Sequence, residues 1–334
     1  MMIAIGQLRS RQIGLGCMNL SHAYGPASSK AHADTLLNRA LDLGYDHFDT
    51  ATLYGNGANE SLLGASIMHR RNEFLLASKC GMYLDNDGKK HISGDPALIR
   101  RQCEASLQRL NTDVIDLYYL HRWDKTIAIE ETVGELSRLV EEGKIREIGL
   151  SEVSAETLKR AHQIHPIAAV QSEYSLWTRN PEIALVDACR ELDVTLVAFS
   201  PLGRAMLTGC LTSTETLDSN DIRRAMPRFS DEHFAHNHQI IQQIAKQLAQ
   251  WNQVDNLNMN LAQLALSWLN SQDLKLVSIP GTTNLDHLAE NLAADNRHLP
   301  SEIAAKLSAT LNQTTVSGAR YNPQTQLEID SEEF

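Results

Sequence analysis

The sequence predicts an α/β fold: a (β/α)8 barrel of the TIM type, with its chemistry on the loops at the carboxyl ends of the strands. Three observations lead there. Eight short apolar runs alternate with amphipathic helical patterns almost from end to end. Helical crossovers impose parallel pairing, and a parallel sheet of eight closes most naturally on itself. The alternative is an open doubly wound sheet.

Taken in order, the strand runs are Ile13–Gly16, Tyr45–Asp49, Phe74–Lys79, Ile115–Leu120, Glu147–Ser151, Ala168–Ser172, Thr195–Ser200 and Lys275–Ile279. Helical spacing falls between them at Ala31–Leu43, Asn59–Met68, Pro96–Leu110, Ile127–Glu142, Ala155–His162, Pro181–Leu192 and Leu261–Asn270. Ser29 and Asp95 stand where N-caps belong, Pro96 and Pro181 in first turns, and Gly44 and Gly143 at helix stops. Two stretches leave the repeat. Residues 203–237 read as a long polar connection after the seventh strand, a kind of loop that is usually functional. Residues 314–334 lack periodicity and read as an extended tail behind a single barrel domain, 1–313.

Bulk properties narrow the function. A formal charge of −11 on 334 residues, with the charges scattered, argues against a nucleic-acid surface. Five cysteines without a CxxC pair argue against a disulfide framework or zinc ribbon and for a reducing compartment. The start has too short an apolar run for a signal peptide, and no stretch approaches a membrane span, so the expectation is a soluble cytoplasmic protein. Oligomeric state is not legible.

Chemistry gathers at the strand ends. Asp49 ends the second strand, Tyr54 lies in the following loop, Lys79 closes the third strand and His121 follows the fourth. Together they supply what carbonyl reduction by hydride transfer needs. A tyrosine of ordinary pKa near 10 is a weak donor, a neighbouring ammonium lowers that pKa, and a carboxylate holds the ammonium in place. His121 can hydrogen-bond the carbonyl oxygen. Singly, each has a plainer reading: helix cap, loop packing, rim charge, buried imidazole. Gly14-x-Gly16 and Gly55-x-Gly57 lack the third glycine of a dinucleotide fingerprint. A nicotinamide cofactor would therefore lie on barrel loops, at the Ser200–Arg204 turn and at the Ile279–Thr283 turn with Pro280 and Gly281, before a helix N-terminus. His47-x-Asp49 also admits a metal-hydrolase barrel, but no HxH or HExxH accompanies it; no metal is expected.

These residues resemble the aldo-keto reductase superfamily over nearly the whole chain. The carrying segments are GLGCM (Gly14–Met18), FDTATLYGNGANE (Phe48–Glu60), LASK (Leu76–Lys79), IDLYYLH (Ile115–His121), GKIREIGLSE (Gly143–Glu152), AAVQSEYSLW (Ala168–Trp177), AFSPLGRAMLTG (Ala198–Gly209), MPRF (Met226–Phe229) and SIPGTTNLDHLAENL (Ser278–Leu292). The branch most similar holds the microbial and plant broad-specificity aldehyde reductases and pyridoxal reductase-like proteins. The resemblance implies NAD(P)H-dependent reduction of aldehydes or reactive ketones, with Tyr54 as proton donor, Lys79 and Asp49 tuning it and His121 orienting substrate. It implies that Ser151 and Gln171 meet the nicotinamide carboxamide and that Phe199 stacks on the ring. Ser200, Leu202, Gly203 and Arg204 then cradle the pyrophosphate, and Thr282, Asn284, Glu290 and Asn291 take the adenosine side.

Met18 is assigned to the cofactor site and the pocket wall. Tyr24, Tyr83 and Trp123 are the other wall candidates, with core packing as the alternative. Glu152 stands where many members carry Asn. The resemblance implies NADP as cofactor, but the turn Thr282–His287 has no Lys or Arg for a 2′-phosphate, which makes NAD its rival. The competing function is a cofactor-loaded barrel serving as a redox-sensing partner subunit with little turnover.

Overall fold

A computed structural model describes residues 2–334. It opens with a hairpin the alternation reading missed: β1 (Ile3–Ile5) and β2 (Leu8–Ser10), antiparallel and turned at Gly6 with φ +56°. Ile3 and Ile5 pack among Leu75, Leu117, Val197 and Val277 inside the barrel. The Thr195 hydroxyl, at the start of its strand, donates to the Ala4 carbonyl. The hairpin therefore stops the barrel's amino-terminal end.

The barrel strands are β3 (Leu15–Gly16), β4 (His47–Asp49), β5 (Leu75–Cys80), β8 (Ile115–Leu120), β9 (Ile145–Ser151), β10 (Ile167–Glu173), β11 (Thr195–Phe199) and β12 (Leu276–Ser278). They pair in parallel in that order. The ring closes where Ser278 donates to Gln12 O at 2.7 Å and Gly14 donates to Ser278 O at 2.9 Å. All eight predicted runs are present: Ile115–Leu120 is unchanged, β9 and β10 are longer than expected, and the others are trimmed or shifted by a residue or two. A second small hairpin, β6 (Met82–Leu84) and β7 (Lys90–Ile92), rises from the carboxyl end of β5.

Helices α1 (Lys30–Leu43), α2 (Ala58–Ser66), α3 (Pro96–Leu110), α4 (Ile129–Glu141), α5 (Ala155–Ile164) and α6 (Leu185–Leu192) follow strands in turn. Ser29 accepts from His32 N and Asp95 from Leu98 N, the caps read from the sequence. Gly44, at φ +97°, ends α1 in the left-handed conformation that glycine alone adopts freely. Pro181 opens a 3-10 turn at Asn180–Glu182 instead of α6, because Ala184 breaks the helical path at φ −152°.

Side-chain alternation sorts the core. Ala77, Leu117 and Tyr119 face the barrel interior, whereas Leu76, Tyr118 and Leu150 meet the helices.

The polar connection ends earlier than its composition suggested. Short 3-10 turns at Met206–Thr208, Ile222–Ala225 and Pro227–Phe229 lead into α7 (Asp231–Val254), 24 residues long. Its buried face is Phe234, Asn237, Ile241, Ile244, Leu248 and Trp251, a helical stripe interrupted by one amide and surrounded by Gln and His. Helices α8 (Leu261–Asn270), α9 (Leu285–Leu292), α10 (Ser301–Thr310) and the short α11 (Pro323–Gln326) complete the chain.

Residues 314–334 fold back across the carboxyl face of the barrel. Arg320 pairs with Glu152, Asp330 N donates to Glu152 O at 3.0 Å, and Ser154 Oγ donates to Asp330 Oδ2 at 3.0 Å. Among the described residues no helix is long and apolar enough to cross a membrane.

Candidate active site

Asp49 ends β4 opposite Ala77 of β5, so Lys79, two residues on and on the same face, reaches back to it, and His121 follows β8 next door. Tyr54 sits in a tight turn between β4 and α2, where Gly55, Asn56 and Gly57 are all left-handed. Buried hydrogen bonds hold this turn. Thr50 Oγ1 donates to Asn59 Oδ1 at 2.6 Å, and Asn59 Nδ2 donates to Cys17 O at 2.8 Å. Glu60 accepts from Ser78 Oγ and Arg109 Nε, which anchors α2.

Lys79 is fully buried, and every ammonium proton has an acceptor. One goes to Asp49 Oδ1, one to Thr50 O at 2.9 Å and one to Tyr54 Oη at 3.1 Å. Burial works against the charge, but Asp49 and Tyr54 outweigh it and hold the Lys79 pKa above its ordinary value. Because Tyr54 Oη accepts from Lys79, its own proton points elsewhere. The Tyr54 pKa lies above 10, not below it as the sequence reading expected: burial raises it, Lys79 opposes, and burial wins. At neutral pH the phenol is protonated, the state a donor requires.

His121 stands edge-on to Tyr54, ring centroids 5.8 Å apart and planes at 85°. Burial, then the cations Arg122 and Lys79, push its pKa well below 6.5, so the imidazole is neutral. His22, which the sequence reading did not single out, flanks Tyr54 with centroids 5.6 Å apart. Asp49 Oδ2 accepts from Gln171 Nε2 at 2.7 Å. A carboxylate only accepts, so this contact fixes the amide orientation, and Gln171 Oε1 has no donor among the described residues.

These groups border a cavity of about 850 Å3 on the carboxyl face, in the range of small-molecule sites. Asp49, Tyr54 and His121 line it; Lys79 lies behind them. Met18, Tyr24, Ser151, Gln171, Phe199, Ser200, Leu202 and Arg204 line it too, as do Pro280, Gly281, Thr282, Glu290 and Asn291. Ser200, Gly203, Arg204 and Ala205 all have positive φ, which curls the turn after β11 tightly.

Four of the expected cofactor and wall residues stand outside the lining. Gly203 shapes that turn from outside the lining, its N–H donating to Ser200 O. Asn284 is the N-cap of α9, accepting from Asp286 N at 2.8 Å, and also stands outside. Tyr83 is no wall residue: it stacks on His91 within the β6–β7 hairpin, centroids 5.3 Å apart. Trp123 is turned away by its own indole N–H, which donates to Ile127 O at 2.7 Å.

Two charged positions behave differently from their sequence reading. Arg204 is not a free cation but pairs with buried Glu173 at 2.9 Å and touches Tyr24 and Tyr321 hydroxyls. Glu152 lies outside the cavity lining, gripping Arg320, Ser331 Oγ at 3.0 Å and Glu173 N at 2.8 Å. Sequence reasoning also missed part of the wall. Tyr321, Asn322, Thr325 and Glu328 come from the tail, and Lys90 of β7 pairs with Glu328 at 2.6 Å. Arg122 is a further lining residue, and its only sequence signal is its place directly after His121. Asp286 is exposed and stands outside the lining; His287 lines it.

A model described as the aldo/keto reductase family matches residues 12–312. Among solved structures, a glycerol dehydrogenase from Gluconobacter oxydans superposes with a TM-score of 0.83 at 23% identity, covering 96% of this chain and 98% of that one. An aldo-keto reductase from Klebsiella pneumoniae, in complex with NADP and acetate, gives 0.70 at 27% identity over 96% and 97%. A holo aldo-keto reductase from Bacillus halodurans gives 0.76 at 24% over 97% and 98%.

Proposed function

The chain belongs to the aldo/keto reductase family, and on that premise we propose that it reduces aldehydes or reactive ketones to alcohols, with a nicotinamide cofactor as hydride source and Tyr54 as proton donor. The observation that carries this is the full commitment of the Lys79 ammonium, whose last proton goes to Tyr54 Oη. That contact turns the phenol proton toward the cavity, beside a neutral imidazole.

The residues present fit such a cofactor. Gln171 offers a free carbonyl oxygen at the inner end, matching the donor side of a carboxamide, and Ser151 has a hydroxyl proton to give. A Cβ at Gly281 would lie 3.0 Å from Asn19 Oδ1 and Gly16 O, so glycine keeps that part of the cradle open. Phe199 would face the nicotinamide ring, and the curled turn Ser200–Ala205 would present backbone N–H groups to the pyrophosphate. When bound, the reduced nicotinamide supplies the hydride. The chain's own part is to hold the carbonyl oxygen between Tyr54 and His121 and to deliver the Tyr54 proton as negative charge develops there. Lys79 stabilises the resulting phenolate until solvent reprotonates it. Carbon gains hydride and oxygen gains a proton, so the product is the alcohol.

NADPH is the favoured donor, on the strength of the Klebsiella pneumoniae relatives with NADP and NADPH. The turn Thr282–His287 offers the Thr282 and Thr283 hydroxyls and the His287 imidazole to the cavity, where a guanidinium would select strongly, so discrimination against NADH is expected to be shallow. Oxidation of each cofactor, followed by absorbance with a reactive aromatic aldehyde, tests both points. Tyr54→Phe should lower turnover about 10²–10⁴-fold with cofactor affinity intact. Undiminished turnover in that variant rules out Tyr54 as the donor.

A further inference from the structure

Four Lys or Arg side chains line the cavity: Lys90, Arg122, Arg204 and Arg223. Three are neutralised: Lys90 by Glu328 at 2.6 Å, Arg204 by Glu173 at 2.9 Å and Arg223 by Asp221 at 2.6 Å. Arg122 forms no ion pair among the described residues. Its Nη1 donates to His121 O at 2.7 Å and to Ser151 Oγ at 3.1 Å, which pins the guanidinium beside the reacting groups. Its Nε and Nη2 have no protein acceptor, and neither is sealed from solvent.

Those two nitrogens form the side of the guanidinium fork that matches a planar carboxylate bidentately. Nearby acids are committed elsewhere. Asp124, two residues on, caps Gly94 N, Thr126 N and Ile127 N, and Asp49 holds Lys79. The reacting end of the cavity therefore carries one unbalanced positive charge in a partly desolvated setting, where an anion gains most.

We propose that Arg122 is a specificity-determining residue that grips a carboxylate on the substrate, so that the preferred substrates are aldehyde acids or keto acids over neutral carbonyls. This rests on the reductase reading above and names its substrate class. The unpaired fork lies on the cavity wall directly beyond His121, so the carboxylate and the carbonyl belong to one small molecule held at both ends.

The test compares 4-carboxybenzaldehyde with its methyl ester, which differ in charge and little in shape. The native protein should favour the acid in kcat/KM by about tenfold or more, with the difference carried by KM. In Arg122→Met that acid-to-ester ratio should collapse toward one, and in Arg122→Lys it should fall between. A native ratio near one, or one unchanged in Arg122→Met, overturns the proposal. So does an equal loss of kcat on both substrates, which would mean that Arg122 acts only through Ser151 and His121.

Calorimetric titration of the native chain and Arg122→Met with 4-(hydroxymethyl)benzoate reads the same grip without turnover. Binding at least about tenfold tighter to the native chain supports it even if neither aldehyde is reduced, an outcome that would sink the reductase reading alone. Equal binding overturns it. The native acid-to-ester comparison stands even if a variant fails to fold.

Discussion

Lys79 has no idle proton, and that makes it both a chemical and a structural residue. Lys79→Met should lower turnover about 10²–10⁴-fold by freeing the Tyr54 oxygen. It should also cost about 3–5 kcal/mol of stability, because Asp49 would stay buried with its charge unpaired. Urea unfolding measures the second effect, and unchanged stability would show that Asp49 finds another partner. His47 makes a pH prediction. It is buried against Ser10, and burial pulls its pKa down to about 4. The unfolded chain therefore binds a proton that the folded chain refuses, and stability must rise with pH across that window. The contribution is complete above pH 6.5 and drains as pH falls toward about 4. His121 acts in the same direction. Thermal unfolding at several pH values should show this slope, and His47→Gln should flatten it; an equal slope in the variant would assign it elsewhere. Residue identities at strand ends were enough to assemble Asp49, Tyr54, Lys79 and His121. The sign of the Tyr54 shift was not legible, because it depends on how deeply the whole barrel buries the ring.

The eight strands were readable because each is a short apolar run with its own turn signals. Helix α7 was harder for a local reason: its stripe includes Asn237, and Gln and His fill half of the other positions. The tail was illegible for a different reason. Nothing periodic marks it, since its order comes from partners far away in sequence, Arg320 with Glu152 above all. That pair is almost wholly buried, side chains 3% and 0% exposed. Arg320→Met should strand the Glu152 carboxylate and weaken the docked segment by about 3–5 kcal/mol. Limited proteolysis followed by mass spectrometry should then find new cleavages between residues 314 and 334. A cleavage pattern like the native one would mean that Asp330 and Glu332, which accept from Ser154 and from Ala155 N, hold the segment unaided.

At the scale of the whole molecule, closure of the ring depends on one close approach. A Cβ at Gly16 would meet the Ile279 carbonyl at 2.7 Å, and backbone cannot step aside as a side chain can. Gly16 is also in register with Asp49. Gly16→Ala should thus cost about 1–3 kcal/mol and weaken cofactor binding together with stability, which calorimetry and thermal unfolding read separately. A loss in neither would show that the seam has slack. The cavity draws its walls from Gly16 and Met18 at one extreme and from Tyr321 to Glu328 at the other. During synthesis these arrive in order, and the last wall leaves the ribosome after the barrel strands. A nascent chain therefore has no complete pocket to fill. Whatever stabilisation a tight ligand confers on the finished molecule cannot guide the barrel while it is being made, and the strands must find their register unaided.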